Sequence, residues 1–383
     1  MGQCAGKTST FAPLSFKGKY QFSSELGYYS AYASALYGVT MRRGGFDCLR
    51  HYEILASGTI PFFIGTEELV RNPLVMYAFP RELMVEGMRL PGMPSEAAVA
   101  SAIAQQRPLP SIDTNVFNRS RYCEIREALL SQLPCVNTAA LARYVIGEVR
   151  SVVHPRRLTK PQILMVTSQT VGGESWTSAF LYHGLRATNT SMLSWMGRKD
   201  NLYAGSVDGG AMYGHGFTYA HRLPEPTRVS RKQELTELRE GLQRGRFNML
   251  IVTTANNREC RLAALYGPST AEVLNDYISR FSPVVVTVDG NDIGGCRTTF
   301  SEELSRVDVH FLREVVVDSE PSPHARLIAP RNAISDSVGN TKMYITAPDS
   351  QLVTISRLVQ TPASWRSLIA KSAVQIRKYN ENS

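Results

Sequence analysis

The stretch that most constrains the fold is residues 44–64, G-G-F-D-C-L-R-H-Y-E-I-L-A-S-G-T-I-P-F-F-I. It predicts a loop, a helix, a tight turn and a short apolar strand. We expect Asp47 to cap the helix start and Gly58 to end the helix as the C′ glycine. Pro61 predicts the beginning of the strand or a bulge in it. A helix that leads directly into a buried strand is typical of α/β folds.

Charged and flexible residues crowd the loop and the first turn of this helix. A glycine pair lets the backbone approach a ligand closely, and arginines beside free helix N–H groups suit a phosphate. A carboxylate one turn further in can hold the hydroxyls of a ribose or sugar. A glycine pair before a helix is also often only a turn. The candidate binding residues are Arg42, Arg43, Gly44, Gly45, Asp47, Arg50, His51 and Glu53.

The string R-H-Y-E-I-L-A-S-G-T-I-P-F-F, residues 50–63, resembles the signature of GT-B glycosyltransferases, especially the exostosin-like and related families. The resemblance is specific over residues 37–84 and fainter elsewhere. It implies two Rossmann-like α/β domains facing a cleft, with this segment in the domain that binds a nucleotide-sugar donor. It also implies that Glu53 lies against the donor, and that transfer needs the nucleotide sugar as co-substrate but no metal and no other cofactor.

A second series of strands and helices follows a change of composition at residues 152–160. Its strands are continuous apolar runs, as expected for a parallel sheet covered on both faces. The ends of such strands feed the loops in which α/β sheets bind ligands. The predicted elements are strands at 163–168, 249–253 and 284–288 and helices at 176–185 and 234–246.

The order of the segments differs from that of related glycosyltransferases, in which the acceptor-side domain comes first. Only about forty residues precede the key helix, too few for a complete donor domain. We therefore expect a circular permutation, in which residues 1–155 form the donor domain, residues 318–383 complete it, and residues 156–317 form the acceptor-side domain. A divergent α/β protein with its own topology is the alternative.

Transfer to a hydroxyl acceptor needs a general base. Asp289 and Asp292 follow the predicted strand at 284–288, and His215 lies in a glycine-flanked loop, so these three are the catalytic candidates, in that order. The two aspartates can equally cap a turn. Their spacing is not that of a D-x-D metal motif, and the cysteines and histidines lack zinc-ligand spacing. We expect no metal site.

The excess of 42 Lys and Arg over 33 Asp and Glu gives a net charge of +9. It favours an anionic partner such as nucleotide phosphate, nucleic acid or a membrane face. The main hypothesis is a glycosyltransferase whose acceptor is a glycan or a polyanion such as DNA with a hydroxylated base. The alternatives are a non-catalytic nucleotide- or nucleic-acid-binding α/β protein and a membrane-surface protein that uses Gly2.

The sequence predicts an intracellular, cytoplasmic protein. No apolar run approaches the ~18 residues of a spanning helix, and no secretory signal is present. The six cysteines lack C-x-x-C spacing, which indicates reduced thiols. Gly2 fits N-myristoylation, but Gly6 replaces the preferred Ser or Thr, so an unmodified start is favoured.

Overall fold

A computed structural model shows an α/β protein built on parallel sheets, which confirms the predicted class. The described residues form a three-stranded sheet, a five-stranded sheet and a two-stranded antiparallel pair. The residues that the structure describes are 6–13, 21–43, 45–72, 75–76, 79–153, 158, 160–167, 176–188, 192–196, 200–205, 213–224, 231–253, 268–289, 304–312, 343–346 and 352–355.

The first unit comprises the described residues from 6 to 135. Its three strands run parallel in the order β1-β2-β3. A right-handed crossover helix is the usual way to join two such neighbours. The elements are β1 (Ser9–Phe11), α1 (Glu25–Ala33), β2 (Ala35–Met41), α2 (Leu49–Ala56), β3 (Ile60–Ile64), α3 (Thr66–Arg71), α4 (Arg81–Met88), α5 (Glu96–Ala104) and α6 (Arg119–Leu130).

The segment β2–α2–β3 confirms the loop, helix, turn and strand predicted from residues 44–64. Gly58 has φ +72° and follows the helix as the C′ glycine. Pro61 is the second residue of β3, opposite Gly38, and β3 is an edge strand of the described sheet, where a missing N–H is tolerated. Helix α2 packs so closely on β2 that a Cβ at Gly38 would lie 2.8 Å from Ile54.

The second unit comprises the described residues from 138 to 312. Its five strands are all parallel, in the order β5-β4-β6-β7-β8. The winding direction reverses between β4 and β6, which is where doubly wound sheets open a crevice for a ligand. The elements are α7 (Thr138–Val152), β4 (Gln162–Thr167), α8 (Trp176–Ala187), β5 (Met192–Met196), α9 (Arg231–Gln243), β6 (Met249–Thr253), α10 (Pro268–Phe281), β7 (Val284–Asp289) and β8 (Val309–Leu312).

Along the chain, the hydrophobic core of the first unit ends and that of the second begins before the composition break at residues 152–160. The core of the first unit extends to Leu133, whereas Ala142 and Val149 of α7 are buried in the core of the second unit. Helix α7 therefore packs against the second sheet. The ranges 1–155 and 156–317 as donor and acceptor domains stay a prediction.

The predicted circular permutation concerns residues 318–383, of which the structure describes eight. Of residues 318–383, the structure describes only β9 (Met343–Thr346) and β10 (Leu352–Ile355), which pair antiparallel. The sequence predicts a strand at 342–345, and β9 confirms it. It also predicts a helix at 365–376, which lies outside the described residues. The packing of residues 318–383 beside the first unit stays a prediction.

One expectation about the cysteines is wrong. Cys123 is disulfide-bonded, whereas Cys48 and Cys135 form no disulfide. The absence of C-x-x-C spacing therefore did not imply that all six thiols are reduced. No helix within the described ranges is long and apolar enough to cross a membrane.

Candidate functional site

The loop between β2 and α2 lies at the carboxyl edge of the first sheet, where parallel sheets bind ligands. The Arg43 N–H donates to the carbonyl of Gly45 at 3.1 Å, and the Cys48 thiol donates to the same carbonyl at 3.4 Å. These bonds turn the chain back on itself just before α2. Gly44 lies outside the described residues.

Asp47 does not cap α2. The N-cap residue is Cys48, whose side chain makes no capping bond to the helix. The Asp47 carboxylate instead accepts a hydrogen bond of 2.8 Å from the Tyr52 hydroxyl, one turn into the helix. The predicted cap is therefore wrong by one position, since Cys48 has the extended backbone of the N-cap and the Asp47 carboxylate is bound by Tyr52.

Two of the three arginines near this loop already have charged neighbours. Arg42 forms an ion pair with Glu68, and its guanidinium lies 4.6 Å from the centre of the Phe46 ring. Arg50 lies close enough to Glu53 for its charge to lower the pKa of that carboxyl. The Arg43 side chain is exposed.

His51 is fully buried beneath the loop. Its Nε2 lies 2.6 Å from the Phe46 carbonyl, and its Nδ1 lies 2.9 Å from the Thr40 hydroxyl. A carbonyl can only accept, so Nε2 carries a proton and donates it to the Phe46 carbonyl. Both nitrogens are used to fasten the loop to β2. This geometry gives His51 a structural role.

Glu53 is a buried carboxyl at the contact between the two units. Only 5% of its surface is exposed. One carboxylate oxygen accepts from the Tyr28 hydroxyl and the other from the Thr218 hydroxyl, both at 2.6 Å. Burial raises the pKa of Glu53, while these two hydrogen bonds and the charge of Arg50 act in the opposite direction. A buried carboxyl with a perturbed pKa between two domains is a typical functional-site candidate.

A segment of the second unit, residues 213–223, provides the other side of this contact. The Thr218 N–H donates to Glu25 at 2.9 Å. Arg222 forms an ion pair with the same carboxylate, and its Nε donates to the Thr218 carbonyl at 3.0 Å. We call Glu25, Tyr28, Glu53, Thr218 and Arg222 the Glu53 cluster.

His215, the third candidate for the base, lies beside the Glu53 cluster. Its ring centre is 5.6 Å from that of Phe217, and the Phe217 ring is 5.6 Å from that of Tyr28. Backbone strain accompanies this arrangement: His215 has φ +55° and Thr218 has φ +75°. Positive φ is unusual for a β-branched residue, and such strain is often found at functional sites.

Of the two aspartate candidates, the structure describes the backbone of Asp289. Asp289 is the last residue of β7, so its backbone lies at the carboxyl edge of the second sheet, as predicted. Asp292 lies outside the described residues. At the same edge, the buried Ser178 hydroxyl donates to the Thr253 hydroxyl at 2.6 Å, which fastens α8 to β6 beside the point where the winding reverses.

Sequence reasoning missed the partners of Glu53. Thr218 is 165 residues away in the chain, and neither a motif nor a periodic pattern links it to α2. Tyr28 belongs to a run of aromatic residues that indicated a helix but no contact with a carboxylate. Only the tertiary fold brings these groups together.

Within the part of the chain that the structure describes, no three His, Cys, Asp or Glu side chains are grouped to hold a metal ion. Comparison of the chain with protein-family models, with curated proteins and with solved structures finds no significant match.

Proposed function

We propose that the chain is a metal-independent glycosyltransferase that moves a sugar from a nucleotide-sugar donor to a hydroxyl acceptor. The observation that carries the proposal is the position of Glu53. This carboxyl belongs to the helix that resembles the donor-domain signature, and it is buried where the two α/β units meet. A two-domain glycosyltransferase of the GT-B type, circularly permuted, has its donor in the cleft between such units.

The loop between β2 and α2 supports a site for the donor diphosphate. It lies at the carboxyl edge of a parallel sheet and leads into a helix N-terminus, which favours an anion. Cations near the departing diphosphate stabilise the charge that grows as the bond to the sugar breaks. The proposed donor-binding set remains Arg42, Arg43, Gly44, Gly45, Asp47, Arg50 and Glu53, with His51 holding the loop beneath it.

Glu53 would recognise a ribose or sugar hydroxyl by exchanging one protein hydrogen bond for one from the donor. The strained segment 213–223 supplies the Thr218 bond, so we assign the exchange to that bond. His215 lies on the same segment and becomes the favoured general base, ahead of Asp289 and Asp292. Its proximity to the Glu53 cluster supports this order.

The test is a thermal-shift screen of nucleotides and nucleotide sugars, followed by a transfer assay with the ligand that binds. A ligand at 100 times its Kd should stabilise the chain by about 2.7 kcal/mol. Glu53→Gln should then abolish transfer, whereas Glu127→Gln, an exposed glutamate on α6, should not. A screen in which no nucleotide or nucleotide sugar stabilises the chain argues against the proposal.

The net charge of +9 supports a second candidate, a non-catalytic nucleotide- or nucleic-acid-binding protein. Such a protein would bind DNA or RNA with an affinity that falls steeply with salt, and Glu53→Gln would leave that affinity unchanged. In the first candidate, a nucleic acid or a glycan is the acceptor. A cytoplasmic location and an unmodified Gly2 remain part of both proposals; Gly2 lies outside the described residues.

A further inference from the structure

Two cationic side chains meet at the C-terminal end of α2. The Lys7 ammonium donates to the Gly58 carbonyl at 2.7 Å, and Nε of Arg126 donates to the same oxygen at 2.6 Å. Lys7 also donates to the Thr59 hydroxyl at 2.9 Å. The C-terminus of a helix carries only a partial negative charge, so it offsets a fraction of these two full positive charges.

The Arg126 guanidinium has donor capacity to spare. Its Nη1 is buried and has no hydrogen-bond partner, which is rare and costly for a charged donor. Its Nη2 lies so close to the turn that a Cβ at Gly58 would be 2.6 Å away. The guanidinium is therefore held in place over Gly58 while one of its nitrogens remains unused.

Neither cation is neutralised by a carboxylate of the described residues: the contacts of both go to the turn at Gly58 and Thr59. Burial, and secondly the charge of Arg126, lower the pKa of Lys7 to about 8. Two half-buried cations that repel one another favour a bound anion, whose charge would offset both.

We propose that Lys7 and Arg126 form a binding site for a small oxyanion of the phosphate class. Its oxygens would accept from the Lys7 ammonium, and its charge would offset both cations. The site lies where β3 begins, at the amino edge of the first sheet. The proposed donor loop follows the other end of β2, so this site is separate from the one used for glycosyl transfer.

The reactivity of the Lys7 amine toward acetic anhydride, followed by mass spectrometry, reports on this site directly. Inorganic phosphate would be titrated against potassium chloride at equal ionic strength. At ten times its Kd, phosphate should slow the acetylation of Lys7 about tenfold, because about one site in ten remains empty. Exposed Lys160 should keep its rate.

Arg126→Gln is the decisive variant. Without the neighbouring positive charge, the Lys7 ammonium holds its proton more tightly, so acetylation should be slower even without phosphate. Added phosphate should then change it no further, whereas exposed Arg107→Gln should keep the wild-type protection. The proposal is overturned if phosphate leaves Lys7 of the wild type unprotected, or protects it equally in Arg126→Gln.

If Arg126→Gln does not fold, the effect of phosphate on Tm provides a second test of the site. Phosphate should raise the Tm of the wild type more than that of Lys7→Gln, and equal increments would refute the site. Arg50→Ala, which changes the proposed donor loop, should leave the protection of Lys7 intact. The oxyanion site at Lys7 and Arg126 can therefore be tested independently of the proposed glycosyltransferase activity.

Discussion

The Thr218 hydroxyl donates to the Glu53 carboxylate at 2.6 Å and joins two residues that are 165 positions apart. The Tyr28 hydroxyl binds the other carboxylate oxygen. A carboxyl buried in this way depends on both partners, because an unsatisfied buried acceptor costs more free energy than a formed hydrogen bond contributes. Loss of the Thr218 hydroxyl should therefore weaken the contact between the two units.

We expect Thr218→Val to destabilise the chain by about 1–3 kcal/mol, since valine keeps the shape of threonine but leaves one oxygen of Glu53 without its donor. Thr114→Val, at an exposed hydroxyl, should change the free energy of unfolding by no more than about 0.5 kcal/mol. Urea denaturation of both variants measures the difference. Equal effects would mean that Thr218 contributes nothing specific.

Stability should depend on pH through Glu53. Burial raises the pKa of this carboxyl, so the folded chain binds its proton more tightly than the unfolded chain does. This contribution to stability is fully present below the ordinary glutamate pKa of about 4.3 and is lost as pH rises through the raised pKa. The Glu53→Gln variant has no titrating carboxyl at this position, so its stability does not decrease with pH for this reason.

The free energies of unfolding of wild type and Glu53→Gln should be compared over this pH range. The stability of the wild type relative to the variant should fall as pH rises and then become constant. A difference that does not vary with pH would show that Glu53 has an ordinary pKa in the folded chain.

In the proposed glycosyltransferase, Arg50→Ala should raise the KM for the donor and lower kcat, because the charge that Arg50 offsets grows as the leaving group departs. The matched control is Arg71→Ala on α3, whose side chain is 71% exposed and pairs only with Glu67 on the same helix. That variant should keep wild-type kinetics. Unchanged kinetics in Arg50→Ala would remove Arg50 from the donor site.

His215→Asn should lower kcat on the order of 10²–10⁴-fold, the usual contribution of a general base, and leave donor affinity near the wild-type value. Asp289→Asn should have a smaller effect, because the described ring contacts connect His215 to the Glu53 cluster through Phe217. Steady-state kinetics with the identified donor give both values. Full turnover in His215→Asn would make Asp289 the favoured candidate for the general base.

Helices α7 and α8 touch at a glycine. A Cβ at Gly184 would lie 1.9 Å from the Thr138 carbonyl oxygen, whereas a Cβ at Gly147 on α7 would meet nothing within 4 Å. We expect Gly184→Ala to cost about 3 kcal/mol or more, since the backbone of α7 must shift. Gly147→Ala should stabilise by about 0.5–1 kcal/mol through helix propensity. Thermal unfolding of the two variants should therefore give Tm shifts of opposite sign.

The sequence predicted what depends on local patterns. Strands at 249–253 and 284–288 have continuous β-branched runs, and Gly58 marks the end of α2 by its backbone conformation alone. The Asp47 cap failed because residue type alone does not fix the first turn of a helix to within one position.

The sequence predicted Glu53 as a site residue but not the residues that bind it. Glu53 was identified from its place in a motif, but its hydrogen bonds come from Thr218, far along the chain. His51 was grouped with the binding residues because it is polar and adjacent to Arg50. Helical spacing places His51 on the same face as Ile54 and Leu55, but only the fold shows that the Phe46 carbonyl and the Thr40 hydroxyl hold it there.

The packing of α7 determines where the chain can be divided. Its aliphatic side, with Ala142 and Val149, belongs to the second core. A gene fragment that begins after residue 155 would expose the matching side of α8 to water and would tend to aggregate. A fragment that begins at Asn137, the residue that caps α7, keeps that surface covered. A truncation that keeps the second core covered therefore has its boundary at the cap of α7.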